Sequence, residues 1–351
     1  MRPELAARAA RQGGVVTRRQ AIAGGYSEAE IRRLTRQSGP WVVVRRGVYA
    51  ERELWESLDP YDGQWRLRDR AAHLTTTVPH VMSHDSAARP WGLAFLRPPR
   101  PLVHVSCAGV GGTRTEHGVK HHIARHPPGA VAEIDGLRVA GLARTVLDLA
   151  REHGFATGVT AADAALRLGV ERGELLAQLR PMRCWPRITQ ARAAVEFADP
   201  GADLPGESLA RVLVVGLGIG SPTTQFPVRL VDRVAWCDLR VGCHLFEFDG
   251  RIKYSRRDQG GVAETSPDQV AWDERRREVA ACAQGLGMSR IIWSDLWGPA
   301  RKRAEERLRA EYAHTLAVHG PTLPEHLARF ARQMEGERLR RMRRTVRPPA
   351  A

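Results

Sequence analysis

The stretch from Glu207 to Trp293 limits the possible folds more than any other part of the chain. Glu207 to Val215 reads as a helix, Gly216 to Gly220 breaks it, and three strand-like runs follow in quick succession: Thr224 to Leu230, Val234 to Leu239 and His244 to Asp249. A helix rich in acid and base, Pro267 to Leu286, comes next, then the short strand Arg290 to Trp293 and a helix from Pro299 to about His314. The order helix, three strands, helix, strand predicts a mixed sheet flanked by helices over residues 201–318.

Within that order the acids fall where a cation would want them. Asp238 lies towards the end of the second strand, and Glu247 and Asp249 are two apart on the third, hence on one face. Glu207 sits on the first helix, which can pack across the sheet and add a further carboxylate. Mg²⁺ and Mn²⁺ prefer several hard oxygen ligands with room for water and phosphate oxygens. Clustered carboxylates repel one another unless a cation neutralises them, which favours a metal over scattered edge acids paired with Arg. Cation usage points the same way. Of 54 basic residues all but Lys120, Lys253 and Lys302 are arginine, and Lys253 stands four residues after Asp249. A compact ammonium there can contact an attacking water and a phosphate oxygen as a point charge.

The first fifty residues hold ten Arg against three Glu. Pro3 to Gln12 has Leu5, Ala6 and Ala9 at helical spacing and ends at Gly13-Gly14; Thr17 caps Arg18 to Ala23, Gly24-Gly25 makes a turn, and Ser27 with Glu30 forms a capping box for a third helix. That helix carries Arg32, Arg33 and Arg36, and Trp41 to Tyr49 follows as strand, basic turn and strand. A winged helix-turn-helix over residues 1–60 is expected, its third helix entering the major groove of double-stranded DNA, with Arg18, Arg19, Arg32, Arg33, Arg36, Arg45 and Arg46 as the contacting residues. The competing reading is a three-helix protein-interaction module with a solvated Arg face. A net charge of +15 suits a polyanionic partner, since cations that neutralise phosphates release counterions.

Residues 61–200 read as an α/β connecting domain: a helix around Asp69 to Thr75, strands Leu102 to Ser106 and Val119 to Ala124, and helices near Arg144 to Arg151 and Thr160 to Leu168. Ser83-His84-Asp85-Ser86 contains the residue types of a nucleophilic triad, but adjacent residues point different ways, so Ser83 is expected as a helix N-cap with Asp85 in the first turn. His117, His121, His122 and His126 would be spread over both faces of a strand, which favours surface histidines over a metal cluster. Pro181 to Gly206 reads as a boundary, and residues 319–351 as a basic C-terminal helix or tail, mostly solvated.

At 351 residues there is room for two or three domains. No run approaches the eighteen or more apolar residues of a membrane helix and the first residues lack a signal-peptide core, so a cytoplasmic protein is expected. Five cysteines without a C-x-x-C pair support neither a disulfide framework nor a zinc ribbon.

The stretch Phe246 to Lys253, with Asp238 and Glu207, resembles the PD-(D/E)xK superfamily, close to the very-short-patch-repair-like endonucleases, over about residues 201–300. The resemblance implies a restriction-endonuclease-like fold, with Asp238 as the metal-binding aspartate, Glu247 as the acid of the second half-motif, Glu207 as the helix-borne glutamate and Gln225 as an auxiliary polar residue. Position 249, where that family has Lys two residues after the acid, is Asp, and Lys253 would supply the ammonium from beyond the turn. Gly13 to Tyr49 resembles the winged-helix domain of AbiEi-type antitoxins, and Ser83 to Ala88, Thr145 to Leu149 and Ala162 to Leu166 are similar to segments that follow it there. Two functions are therefore expected to compete: an Mg²⁺- or Mn²⁺-dependent endonuclease hydrolysing phosphodiester bonds with Asp238, Glu247, Asp249 and Lys253, or a non-catalytic repressor and antitoxin of a type IV toxin-antitoxin system, acting at a cognate toxin gene or its operator. No small-molecule substrate is inferred.

Overall fold

The computed structural model describes residues 1–109, 111–127, 129–250, 275–276 and 278–343. They form two compact units, Met1–Leu93 with Arg97–Glu152, and Ala94–Leu96 with His153 onwards. The stretch read as a boundary near residue 201 lies inside the second unit.

The first unit opens with α1 (Pro3–Arg11), β1 (Val15–Thr17), α2 (Arg18–Ala23), α3 (Glu28–Leu34), β2 (Trp41–Arg45) and β3 (Val48–Glu51). Both expected N-termini are capped reciprocally: Thr17 with Gln20 opens α2, and Ser27 with Glu30 opens α3. The strands make an antiparallel sheet in the order β1-β3-β2. Its core holds Leu5, Ala9, Val16, Ala21, Ile31, Trp41 and Tyr49, with Trp41 stacked on Tyr49 at 5.7 Å. Gly47, at φ +76°, turns the wing between β2 and β3.

After α4 (Arg52–Ser57), α5 (Gly63–Thr75) sets Leu67 and Ala71 against Val15, Val48 and Ala50. A six-stranded sheet follows, made by β4 (Val81–Met82), β5 (Val103–Cys107), β6 (Arg114–Glu116), β7 (Val119–Ile123), β8 (Val131–Ile134) and β9 (Leu137–Ala140) in the order β6-β7-β5-β4-β9-β8, with α6 (His84–Ala88) and α7 (Leu142–His153). β5 and β7 run parallel, with His104 opposite Lys120 and Ser106 opposite His122. The strands expected near 102 and 119 are therefore direct neighbours.

The second unit has α8 (Phe155–Arg167), α9 (Arg172–Leu179), α10 (Ile188–Phe197), α11 (Pro205–Gly216), β10 (Thr223–Arg229), β11 (Val234–Val241), β12 (His244–Asp249), β13 (Gly287–Ile292), α12 (Gly298–His319) and α13 (Glu325–Arg343). The sheet order is β10-β11-β12-β13, antiparallel between the first three and parallel between β12 and β13. The sheet is mixed; its fourth strand begins at Gly287, earlier than the expected Arg290, and ends before Trp293, while most of the helix expected ahead of it lies outside the described residues. Two cores cover the sheet. Leu209, Leu213, Leu239, Phe246, Phe248 and Leu308 pack together on one side, and Phe226, Val228, Leu245, Leu286 and Leu327 on the other. Among the described residues no helix is long and apolar enough to cross a membrane.

Inside this unit Arg211 grips Asp163 with two hydrogen bonds of 2.8 and 2.9 Å and donates a third to the Phe197 carbonyl. Asp163 also accepts the Asp199 amide, so one buried carboxylate joins α8, α11 and the segment between them. Removing one member of such a pair leaves the other charged and buried, which makes this junction intolerant of substitution.

Candidate nucleic-acid interface, carboxylate site and histidine cluster

Ile31 is buried and Leu34 partly so on α3, which leaves Arg32 and Arg33 exposed; Arg36, expected on the same helix, is exposed two residues past its end, since the helix stops at Leu34 with Thr35 as its cap. Arg19 and Arg46 are exposed as well, the latter at the wing turn. Two of the seven predicted contacts are engaged within the protein: Arg18 is ion-paired with Glu28, and Arg45 donates to the His117 carbonyl at 3.2 Å. The Arg18–Glu28 pair is half exposed, and pairs of that kind contribute little, so it can exchange for a phosphate.

The predicted acids all lie in the second unit. The β11–β12 ladder ends where Leu239 faces Phe246; one residue further Asp238 takes over, its Oδ2 accepting the Phe248 amide at 2.8 Å. Strand alternation puts Glu247 and Asp249 on the Leu245 side. There Arg290 lies opposite Glu247 in the parallel register, and its guanidinium is 4.0 Å from Asp249. Glu207 is buried in the first turn of α11 and accepts the Asp203 amide at 2.6 Å. Because α11 packs on Phe246 and Phe248, the helix expected to bring a carboxylate across the sheet covers the face opposite Glu247 and Asp249. Among the described residues no three of these acids bring ligand oxygens within 4.8 Å of one another. Lys253 lies outside the described residues, as does most of the expected helix from Pro267.

Gln225, the predicted auxiliary residue, has φ +50° on β10 and is held at both ends, donating to the Gly201 carbonyl and accepting from Arg341 Nε, each at 2.9 Å. Arg338 of the same helix donates to the Thr224 carbonyl. The basic C-terminal segment, expected to be mostly solvated, is thus docked along β10 through Arg338 and Arg341, which satisfy polar groups of a strand that has no outer strand neighbour among the described residues.

His84, His104 and His122 come together in the first unit, each offering a ring nitrogen within 4.8 Å of the others. His104 Nδ1 and His122 Nε2 are 2.9 Å apart, and the His84 and His122 rings stack at 3.8 Å. Two expectations change here. Ser83 stands at the N-cap position of α6 without a capping bond; its hydroxyl instead meets His84 Nδ1 at 3.0 Å, because His84 adopts a left-handed φ of +50° that redirects the chain. The imidazoles of β7 are not all at the surface either: alternation does part His121 from His122, but both are shielded, and His122 meets His104 from the neighbouring strand. Burial, then repulsion from His122 and His104, holds His84 well below its ordinary pKa, and burial brings His122 down to about 4. These rings are neutral at pH 7.

In the second unit the buried imidazole of His244 bridges Thr315 Oγ1 and Ser289 Oγ at 2.7 Å each, and burial lowers its pKa to about 4. Its folded pKa lies below the unfolded 6.5, so its contribution is present above pH 6.5 and lost as pH falls towards 4. Between pH 7.5 and 5.0 the wild type is expected to lose about 2 kcal/mol from this residue. Urea unfolding at both pH values checks it: the drop shrinks by that amount in His244→Asn, and an equal drop in the variant assigns the effect elsewhere.

Residues 3–52, which build the helix-turn-helix and its wing, match the model of a family described as transcriptional regulator, AbiEi antitoxin. Among solved structures, the RV2827C protein from Mycobacterium tuberculosis matches with 18% identity over 57% of this chain and 79% of its own, at a TM-score of 0.34. No curated protein matches.

Proposed function

We propose that the chain is a DNA-binding transcriptional regulator of the AbiEi antitoxin kind, whose winged helix-turn-helix reads the operator of a cognate toxin gene. The observation that carries the reading is the exposed set Arg32 and Arg33 on α3 and Arg36 just past its end, with Arg46 on the adjoining wing, in the segment that matches the regulator family. Cations on the second helix of the turn and on the wing can neutralise phosphates on both sides of a major groove. A gel shift on the DNA upstream of the chain's own gene, repeated with those three arginines replaced by alanine, tests it.

A second reading, metal-dependent phosphodiester hydrolysis by the second unit, is favoured by the mixed β10–β13 sheet and by Asp238 within β11, whose carboxylate meets the Phe248 amide next to Glu247 on β12. Hard carboxylate oxygens suit Mg²⁺ or Mn²⁺, which would be held by Asp238 and Glu247; Glu207, on the helix that covers the other face of the sheet, is not among the ligands. Such an ion supplies charge neutralisation of a phosphate and a more acidic bound water. Asp238 Oδ2 already accepts a backbone amide, which would fix its orientation, and Arg290 beside Asp249 would attract a phosphate oxygen. Incubation of the full chain with supercoiled plasmid and Mg²⁺ is expected to give nicked circles on this reading. In the Asp238→Ala, Glu247→Ala double variant the rate should fall by about 100-fold or more. Equal nicking by the two proteins, or none by either, rejects it and leaves DNA binding by the first unit untouched.

A further inference from the structure

The three-histidine cluster is the part of the molecule that neither DNA binding nor phosphodiester chemistry employs. Its members come from three separate elements: His84 opens α6, His104 sits in β5, and His122 sits in β7. In the parallel β5–β7 pair, positions 104, 106, 120 and 122 project to one face. Above that face, Glu152 of α7 is ion-paired with Lys120. His84 and His104 are buried and His122 half-buried, so the nitrogens meet just beneath the surface.

We propose that His84, His104 and His122 form a binding site for one divalent transition-metal ion of the zinc class. Two of the ring nitrogens turned away from the centre already have polar neighbours of the kind a metal-ligating imidazole uses: His84 Nδ1 meets Ser83 Oγ at 3.0 Å, and His104 Nε2 lies 3.9 Å from the fully buried Asp85 carboxylate, close enough for a small shift to bring them into a hydrogen bond. A carboxylate behind a ligating histidine fixes its tautomer and raises its basicity. This leaves His84 Nε2, His104 Nδ1 and His122 Nε2 to face the ion.

The dimensions fit. With Zn–N near 2.0–2.1 Å, tetrahedral ligation separates nitrogens by about 3.4 Å, so the 2.9 Å His104–His122 contact need open by only a few tenths of an ångström. Because a ligated ion lies in the plane of each imidazole, its capture turns the His84 and His122 rings out of their 3.8 Å stack. Imidazole donors select zinc, cobalt or nickel over magnesium, which separates this site from any carboxylate site in the second unit. The left-handed backbone of His84 is a conformation that residues other than glycine rarely hold unless the surroundings enforce it, and here it aims the ring at the cluster. Three protein ligands leave a fourth position for water or an exogenous donor.

The test uses the full chain carrying Cys184→Ser and Cys282→Ser, which removes the two exposed thiols as adventitious ligands. After treatment with a chelator and its removal, titration with Co²⁺ is expected to give one equivalent with the strong visible absorption of a four-coordinate ion, displaced by Zn²⁺. His122→Asn, at the half-buried rim, should raise the dissociation constant at least about 100-fold. His117→Asn, exposed on the neighbouring turn, should leave it unchanged, with circular dichroism confirming that all three proteins are folded. Absence of a stoichiometric cobalt band in the parent protein overturns the proposal, as does an unaltered band in His122→Asn. If His122→Asn fails to fold, His104→Asn takes its place with the same two outcomes.

Discussion

The Arg32→Ala, Arg33→Ala, Arg36→Ala triple variant is expected to bind double-stranded DNA about 150-fold more weakly at 0.15 M salt, since each phosphate contact contributes about 0.7 log units through counterion release at that concentration. The slope of log affinity against log salt should fall in magnitude by about 2.7, corresponding to three lost contacts at about 0.9 each. Stability should scarcely change, because the core side of α3 is carried by Ile31 and Leu34 while the three arginines are exposed. Filter binding across a salt series, with melting temperature measured in parallel, gives both quantities. An Arg8→Ala, Arg11→Ala variant removes two exposed cations from α1 and should lose little by comparison. Equal losses in the two variants would mean that diffuse charge, and not α3, holds the DNA. An unchanged affinity and slope in the triple variant would remove α3 from the interface.

A single added methyl group at Gly206 should be strongly damaging to the second unit. Gly206 lies in the first turn of α11, directly against Phe248, and a Cβ there would stand 2.1 Å from Cε1 and 2.3 Å from Cζ of the ring. Phe248 is itself buried and meets Trp293 edge to face at 5.2 Å, so the ring has nowhere to withdraw. Gly206→Ala is expected to destabilise the unit by about 3 kcal/mol through overpacking. The sign is informative, because in a helix alanine is ordinarily favoured over glycine by up to about 1 kcal/mol. Phe248→Leu opens the space, and the double variant should recover about 1–2 kcal/mol relative to additivity. Urea unfolding of the two single variants and the double one decides it; a stability equal to wild type in Gly206→Ala would mean that α11 and β12 are less closely packed than described.

Local chemistry made the first fifty residues legible. Thr17 with Gln20 and Ser27 with Glu30 satisfy helix donors within four residues, the glycines turn the chain between helices, and the basic turn of the wing lies between two short apolar strands; none of this needs a distant partner. The strands of the second unit were legible for a similar reason. Their apolar runs are bounded by Gly216 to Gly220 and by tight turns, and short connections leave adjacent runs little choice but to pair.

What each side chain meets was another matter. Sequence places Glu207 on a helix and Glu247 and Asp249 on one strand face, but which side of the sheet that helix covers depends on the packing of Leu209 and Leu213 against Phe246 and Phe248. Gln225 reads as a polar strand residue; only the docking of α13 through Arg338 and Arg341 makes it a structural tie. The histidines show the limit most clearly. The period of β7 rightly separates His121 from His122, yet the third dimension sets His122 beside His104 and His84, which lie 18 and 38 positions away along the chain. Charge and the capped or alternating elements could be read along the chain, because capping, alternation and turn chemistry act over a few residues. The tertiary structure alone decided which acids, arginines and imidazoles meet, because non-local packing sets strand order and the faces that helices cover.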